Sequence, residues 1–273
     1  MSRRLGQHFL KNAGKIRKIT DSLELKRGEV VIEIGPGHGE LTEELRIRNK
    51  ELRIVAVEKD SELANGLRNK FGAGAEIING DALELLPSII HNPKSSIHNY
   101  KIVGNIPYYI TGKLLRVLGE LELKPELVVL TVQKEVAERI TAKPPKMNLL
   151  AASVQFWADP EIVDHIPKED FEPRPKVDSA IIRLTPKQKL VNSNWKLEEE
   201  NDSNYQLQIT NYYKFVRILF KQPRKTILNN LSAGLKLSKE EIIKRLKKLK
   251  IDPKDRPQDL NPEKIKNLAE KEL

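Results

Sequence analysis

The run Asn105-Ile106-Pro107-Tyr108-Tyr109 holds the residues best suited to chemistry. An amine conjugated to an aromatic base is a poor nucleophile, because its lone pair is delocalised into the ring. The Asn105 side-chain oxygen and a neighbouring backbone carbonyl can both accept hydrogen bonds from such an amine. Two acceptors draw it toward a tetrahedral geometry and free the lone pair for attack. Pro107 restricts the local backbone and so aims its carbonyl. Tyr108 offers a flat face to a base, and its π-cloud favours a nearby cation. The competing reading is a loop with buried tyrosines.

A second set could hold a cofactor. Glu33-Ile34-Gly35-Pro36-Gly37-His38-Gly39 follows an apolar run and opens a helical stretch. Glycines there let the backbone approach a ligand, since no Cβ intrudes. The G-x-G-x-G spacing is not the G-x-G-x-x-G of dinucleotide binders, which argues against a nicotinamide-dependent oxidoreductase. Taken alone, the segment reads equally as a tight turn. Glu58 ends the next apolar run, 19 residues beyond Gly39. A carboxylate at that place can accept from both ribose hydroxyls of an adenosine-containing cofactor; an ordinary surface glutamate is the alternative. Asp81 closes a third run, where it can accept from the cofactor's adenine amine, cap the helix opening at Ala82, or both.

Positioning these segments falls to alternating strands and helices. The apolar runs 30–34, 52–57, 75–78, 100–103 and 127–132 predict strands, with a late β-type run at 180–184. Helical spacing over 40–48, 61–71, 111–121 and 134–140 supplies the crossovers. That alternation predicts an α/β, doubly wound, Rossmann-like sheet, in which ligands bind at the carboxyl ends of the strands. The glycine turn, Glu58, Asp81 and the Asn105–Tyr109 run all fall there. The domain is expected over 1–186, then a polar linker or insertion over 187–210 carrying Glu198-Glu199-Glu200-Asn201-Asp202. A small helical domain over 211–273 follows, with helices at 212–220, 225–231, 239–249 and 262–268.

Composition narrows the partners. The 273 residues include no cysteine, which excludes disulfides, thiolate metal sites and cysteine nucleophiles. No apolar run approaches the ~20 residues of a membrane span, and no apolar stretch follows Arg3 and Arg4, so a soluble, cytoplasmic protein without a secretory signal is expected. The net charge is +10, and from residue 187 onward 20 Lys/Arg stand against 12 Asp/Glu, so most of the excess is C-terminal. Such a segment suits a polyanion, because neutralising phosphates releases condensed counterions. A solvated Lys/Glu-rich surface is the rival reading.

The sequence resembles the ribosomal RNA adenine dimethyltransferase family, the small-subunit dimethyladenosine transferases. The matching segments are Leu5-Gly6-Gln7-His8-Phe9-Leu10, Glu33 to Gly39, Asn105 to Tyr109, Gln133-Lys134-Glu135-Val136, Phe171-Glu172-Pro173-Arg174-Pro175-Lys176-Val177-Asp178-Ser179-Ala180 and Gln222-Pro223-Arg224-Lys225-Thr226-Ile227. They span nearly the whole chain. The resemblance implies S-adenosylmethionine as cofactor and dimethylation of two adjacent adenosines near the end of small-subunit ribosomal RNA, by a monomer without a metal. It implies that His8 and Leu10 close over the methionine-bearing end of the cofactor. Gly35 and Gly37 would contact it by backbone, Glu58 its ribose and Asp81 its adenine. Asn105 would meet both cofactor and target amine, with Pro107 and Tyr108 beside it. Phe171 would stack on the flipped adenine opposite Tyr108. The C-terminal excess of positive charge assigns RNA docking to the helical domain, with Arg224 and Lys225 as its contacts. Two other readings are a large-subunit methyltransferase of the antibiotic-resistance type and a ribosome-assembly factor whose methylation is secondary. The runs at 177–180 and 224–226 resemble the small-subunit type better. Where family members commonly carry Tyr-Gly-Arg-Leu, this chain has Met147-Asn148-Leu149-Leu150, and Lys143 or Lys146 could replace the missing arginine.

Overall fold

The computed structural model describes residues 6–91, 97, 99–187 and 202–272. Leu5 of the N-terminal motif and the acidic Glu198–Asn201 stretch lie outside the described residues. The chain divides into two compact units. The first comprises Met1–Ala137 and Asp159–Pro186, and the second comprises Glu138–Ala158 and Lys187–Leu273. Residues 138–158, which precede the second half by sequence, thus group with it.

The first unit is built on a seven-stranded sheet. In chain order its strands are β2 (Val30–Ile34), β3 (Arg53–Glu58), β4 (Glu76–Asn79), β5 (Tyr100–Asn105), β6 (Leu127–Gln133), β7 (Ala158–Ile166) and β9 (Ser179–Pro186). Their spatial order is β4-β3-β2-β5-β6-β9-β7. β2, β3, β4, β5 and β6 are mutually parallel, while β9 runs antiparallel to β6. Parallel strands are covered on both faces, so they read as continuous apolar runs; Val31, Ile32, Ile102, Val103, Val128 and Val129 are fully buried. The strand order reverses between β2 and β5, which is where an open sheet of this kind leaves a crevice.

Helices α1 (Ala13–Asp21), α2 (Glu40–Arg48), α3 (Ser61–Phe71), α4 (Ala82–Ile90), α5 (Thr111–Glu120) and α6 (Lys134–Ile140) connect the strands. Asn12, Asp60 and Asp81 cap α1, α3 and α4 by accepting backbone N–H bonds. Two further strands, β1 (Phe9–Leu10) and β8 (Phe171–Glu172), form an antiparallel ribbon in which Leu10 faces Phe171.

The second unit is helical: α7 (Leu149–Trp157), α8 (Asp202–Leu219), α9 (Ile227–Gly234), α10 (Lys239–Lys248) and α11 (Pro262–Glu272). Phe215, Val216, Leu219, Ile227, Leu246 and Ile265 form its core at full burial. The Phe156 and Tyr212 rings stack at 3.8 Å, and the Tyr212 hydroxyl donates to the Ala152 carbonyl at 2.9 Å. Residues 202–210, expected in the linker, form the first half of α8. Ile209 lies one helical turn before Tyr212 and Tyr213, and its burial extends the apolar stripe through a polar stretch.

Candidate functional site

The carboxyl ends of β2 and β5 lie side by side, with Glu33 opposite Val103. The glycine turn leaves one and Asn105 ends the other, so the register of two parallel strands brings the two halves of the predicted site together. Gly104 permits that approach: a Cβ there would lie 2.6 Å from the Ile34 carbonyl oxygen. Gly37 has a φ of +61°, and a Cβ on it would fall 2.8 Å from the Phe9 ring. The turn therefore holds its shape only with glycine.

These elements border an open cleft at the carboxyl edge of the sheet. Among the predicted site residues, His8, Leu10, Gly35, Gly37, Glu58, Asn105 and Pro107 line it. Phe9, Glu33, Pro36 and Glu40 line it as well.

Asn105 is held from a distant part of the chain. Its Nδ2 donates to the His8 carbonyl at 2.9 Å. That bond fixes the amide and leaves Oδ1 as the acceptor. The His8 ring is in turn held, with Nδ1 2.7 Å from the Pro173 carbonyl and the imidazole stacked on Tyr108 at 5.7 Å. The Pro107 carbonyl already accepts the Ile110 N–H at 3.1 Å, which leaves it one lone pair. The Tyr108 hydroxyl lies 2.6 Å from Ser179 Oγ. Burial raises the Tyr108 pKa, the Ser179 hydrogen bond lowers it and the nearby Asp178 charge raises it, with a net upward shift.

Two carboxylates are buried beside the glycine turn. Glu58 is 2% exposed and accepts the Gly37 N–H at 3.1 Å and the Asp60 N–H at 2.9 Å. Burial raises its pKa, against the lowering pull of those N–H groups. Each oxygen keeps a lone pair for a further donor. Glu33 is 1% exposed and accepts from the Thr42 hydroxyl at 2.7 Å. Its pKa is pushed up to about 7, first by burial, which outweighs the Thr42 hydrogen bond, and then by the Glu58 and Glu40 charges. Glu33 had no role assigned from sequence. The signal was a single acidic residue inside the apolar run Val30–Ile34, where burial without function is costly.

The other predicted residues lie elsewhere. Asp81 accepts the Leu83 N–H and pairs with Lys59 at 2.8 Å, and does not line the cleft. Burial alone would raise its pKa, yet the Lys59 hydrogen bond and charge leave it lowered. Phe171 is 4% exposed and packs in the core with Leu10 and Ile16, so its ring offers no open face for stacking in this conformation. Arg224 and Lys225 are exposed in the second unit, just before α9. Among the described residues no group of His, Asp or Glu could hold a metal ion, and no helix is long and apolar enough to cross a membrane.

The residues present fit an adenosine-bearing methyl donor. The glycine cradle would be filled by a Cβ at Gly37, and two buried carboxylates face the cleft as acceptors for hydroxyl and ammonium groups.

A family model described as ribosomal RNA adenine dimethylase matches residues 1–271. The chain is 39% identical to ribosomal RNA small subunit methyltransferase A of Dehalococcoides mccartyi, over 97% of this chain and 86% of that one. A crystal structure of a dimethyladenosine transferase from Plasmodium falciparum is similar at a TM-score of 0.75 and 25% identity, covering 96% of each chain. That of the 23S rRNA methyltransferase ErmE is similar at 0.69 and 26% identity, covering 96% of this chain and 98% of that one.

Proposed function

This chain belongs to the ribosomal RNA adenine dimethylase family, and from that premise we propose that it methylates the N6 amines of two adjacent adenosines near the 3′ end of small-subunit ribosomal RNA. It is an enzyme of ribosomal RNA adenine dimethylation that uses a methyl donor. The donor proposed is S-adenosylmethionine, which supplies an electrophilic methyl on a sulfonium.

The observation that carries this reading is the fixed Asn105 amide at the mouth of the glycine cradle. Nδ2 is committed to His8, so Oδ1 accepts one hydrogen of the target amine. The remaining Pro107 lone pair accepts the other. Between these two acceptors the amine nitrogen would pyramidalise and free its lone pair from the ring, ready for the methyl that a bound sulfonium would give up to form the N–C bond as its own S–C bond broke. The extra proton on nitrogen departs to solvent afterwards, so no residue must act as an obligatory base. Glu58 receives ribose hydroxyls, and the backbone of Gly35 and Gly37 borders the donor. His8 and Leu10 would cover its methionine end, and Asp81 would receive its adenine amine only by turning from Lys59 toward the cleft. Tyr108 faces the target base. Phe171 joins it only if the β1–β8 ribbon opens. Arg224 and Lys225 contact RNA phosphates, and the protein works as a cytoplasmic monomer.

The test is to incubate the full-length protein with unmethylated small subunits and labelled S-adenosylmethionine, then map the modified nucleotides. Two dimethylated neighbours in small-subunit RNA are expected. Label appearing only in large-subunit RNA, when that is supplied, would transfer the reading to the antibiotic-resistance type.

A further inference from the structure

Tyr109 follows Tyr108 on the 3₁₀ turn Tyr108–Ile110, and the two rings have opposite surroundings. Tyr108 is anchored by buried Ser179 and backed by His8. Tyr109 is 60% exposed, the aromatic member of the few large apolar side chains left open among the described residues. Exposing a ring beside the reacting residue leaves apolar area in water, whereas a base could cover it. The chain at Gly6 borders one edge: a Cβ there would lie 3.9 Å from Tyr109 Cδ1.

Two exposed lysines accompany it. Lys113 lies four residues along the chain from Tyr109, on the first turn of α5. Lys59, with a side chain 54% exposed, follows β3 and pairs with Asp81 at 2.8 Å. An aromatic face flanked by lysines is the arrangement that holds single-stranded nucleic acid, the ring stacking a base and the cations tracking the backbone.

We propose that Tyr109, with Lys59 and Lys113, forms a stacking subsite for a base adjacent to the target adenosine on the same RNA strand. This rests on the reading that adenine in small-subunit RNA is the substrate. Stacking on Tyr109 replaces part of the stacking that the strand loses when the target base is extruded. Unlike the pocket for the target, the subsite accepts any base, since every base has a π-face.

Tyr109→Ala, Tyr109→Trp and Lys113→Gln would be compared with the wild-type chain for KM and kcat on unmethylated small subunits, for S-adenosylmethionine affinity and for Tm. Tyr109→Ala is expected to raise KM by about 5- to 100-fold. Tyr109→Trp should stay within about 2-fold of wild type, and Lys113→Gln should lower the salt slope of binding by roughly one. Cofactor affinity and Tm should not move. A KM within 2-fold for Tyr109→Ala, beside an active wild type, overturns the subsite alone. A drop in Tm with KM unchanged assigns the ring to packing against the N-terminal chain and also overturns it. A wild-type chain that leaves small subunits unmethylated defeats the underlying reading and the subsite with it.

Discussion

Asn105 is oriented by a residue 97 positions away, so its chemistry depends on a bond made by the N-terminal segment. Asn105→Ala should lower turnover at least about 100-fold, ~2.7 kcal/mol in the barrier, with cofactor affinity changed far less. Asn105→Asp separates acceptor from donor: it keeps an oxygen for the amine but sets a carboxylate against the His8 carbonyl. It is expected to fail as Ala does, and single-turnover rates within tenfold of wild type for either variant would defeat the account of amine activation. Glu33 makes a prediction about stability. Its pKa rises from 4.5 to about 7 on folding, so the folded state binds the proton more tightly. The resulting stabilisation is full below pH 4.5 and is lost as pH rises through 7. Above that range a buried charge remains, costing up to about 3 kcal/mol. Glu33→Gln should therefore be more stable than wild type at pH 8 and should lack the decline between pH 4.5 and 7, as denaturant melts at several pH values would reveal.

The elements that set the site are β2 and β5, and their separation is set by a missing side chain. Gly104→Ala would push a methyl group against the Ile34 carbonyl, a backbone atom that cannot swing aside. A cost of about 1–3 kcal/mol is expected, together with a lower kcat as Gly35 and Asn105 move apart. Gly112, near the start of α5, faces open space, with no atom within 4 Å of where a Cβ would stand, so Gly112→Ala should be neutral or stabilising by about 0.5 kcal/mol. Thermal melts of the pair check both signs. The same strands explain what was legible from sequence. β2, β3, β5 and β6 are buried on both faces and read as apolar runs, which put the glycine turn, Glu58 and Asn105 at one sheet edge. β7 did not read as a strand, because it lies at the end of the sheet and carries Asp159, Pro160 and Glu161, residues an edge tolerates. β1 and β8 span two residues each, too short for any periodicity. The anchoring of Tyr108 by Ser179 joins residues 71 positions apart and has no local signal. Glu33 was visible as an anomaly in an apolar strand, but only the fold turns it toward the cleft.

At the scale of the whole molecule, charge and chemistry occupy different parts of the chain. Most of the positive excess lies beyond residue 186, while the cleft residues all precede it. Arg224 and Lys225 are exposed. Replacing both with Ala should weaken binding to small subunits and reduce the salt slope by roughly two across ~50–200 mM salt, without changing cofactor affinity. An unchanged slope in filter-binding measurements would return these residues to ordinary helix solvation. The second unit is also discontinuous, since α7 enters it from the middle of the sequence and buries Ala151 and Ala152 beside Tyr212. The polypeptide therefore crosses between the units three times, at 137, 158 and 186. A gene recombining with a relative at a single point near residue 187 would inherit α7 from one parent and its covering helices from the other. Such hybrids must match the two halves of one core, so the helical unit can be exchanged intact only as two segments transferred together.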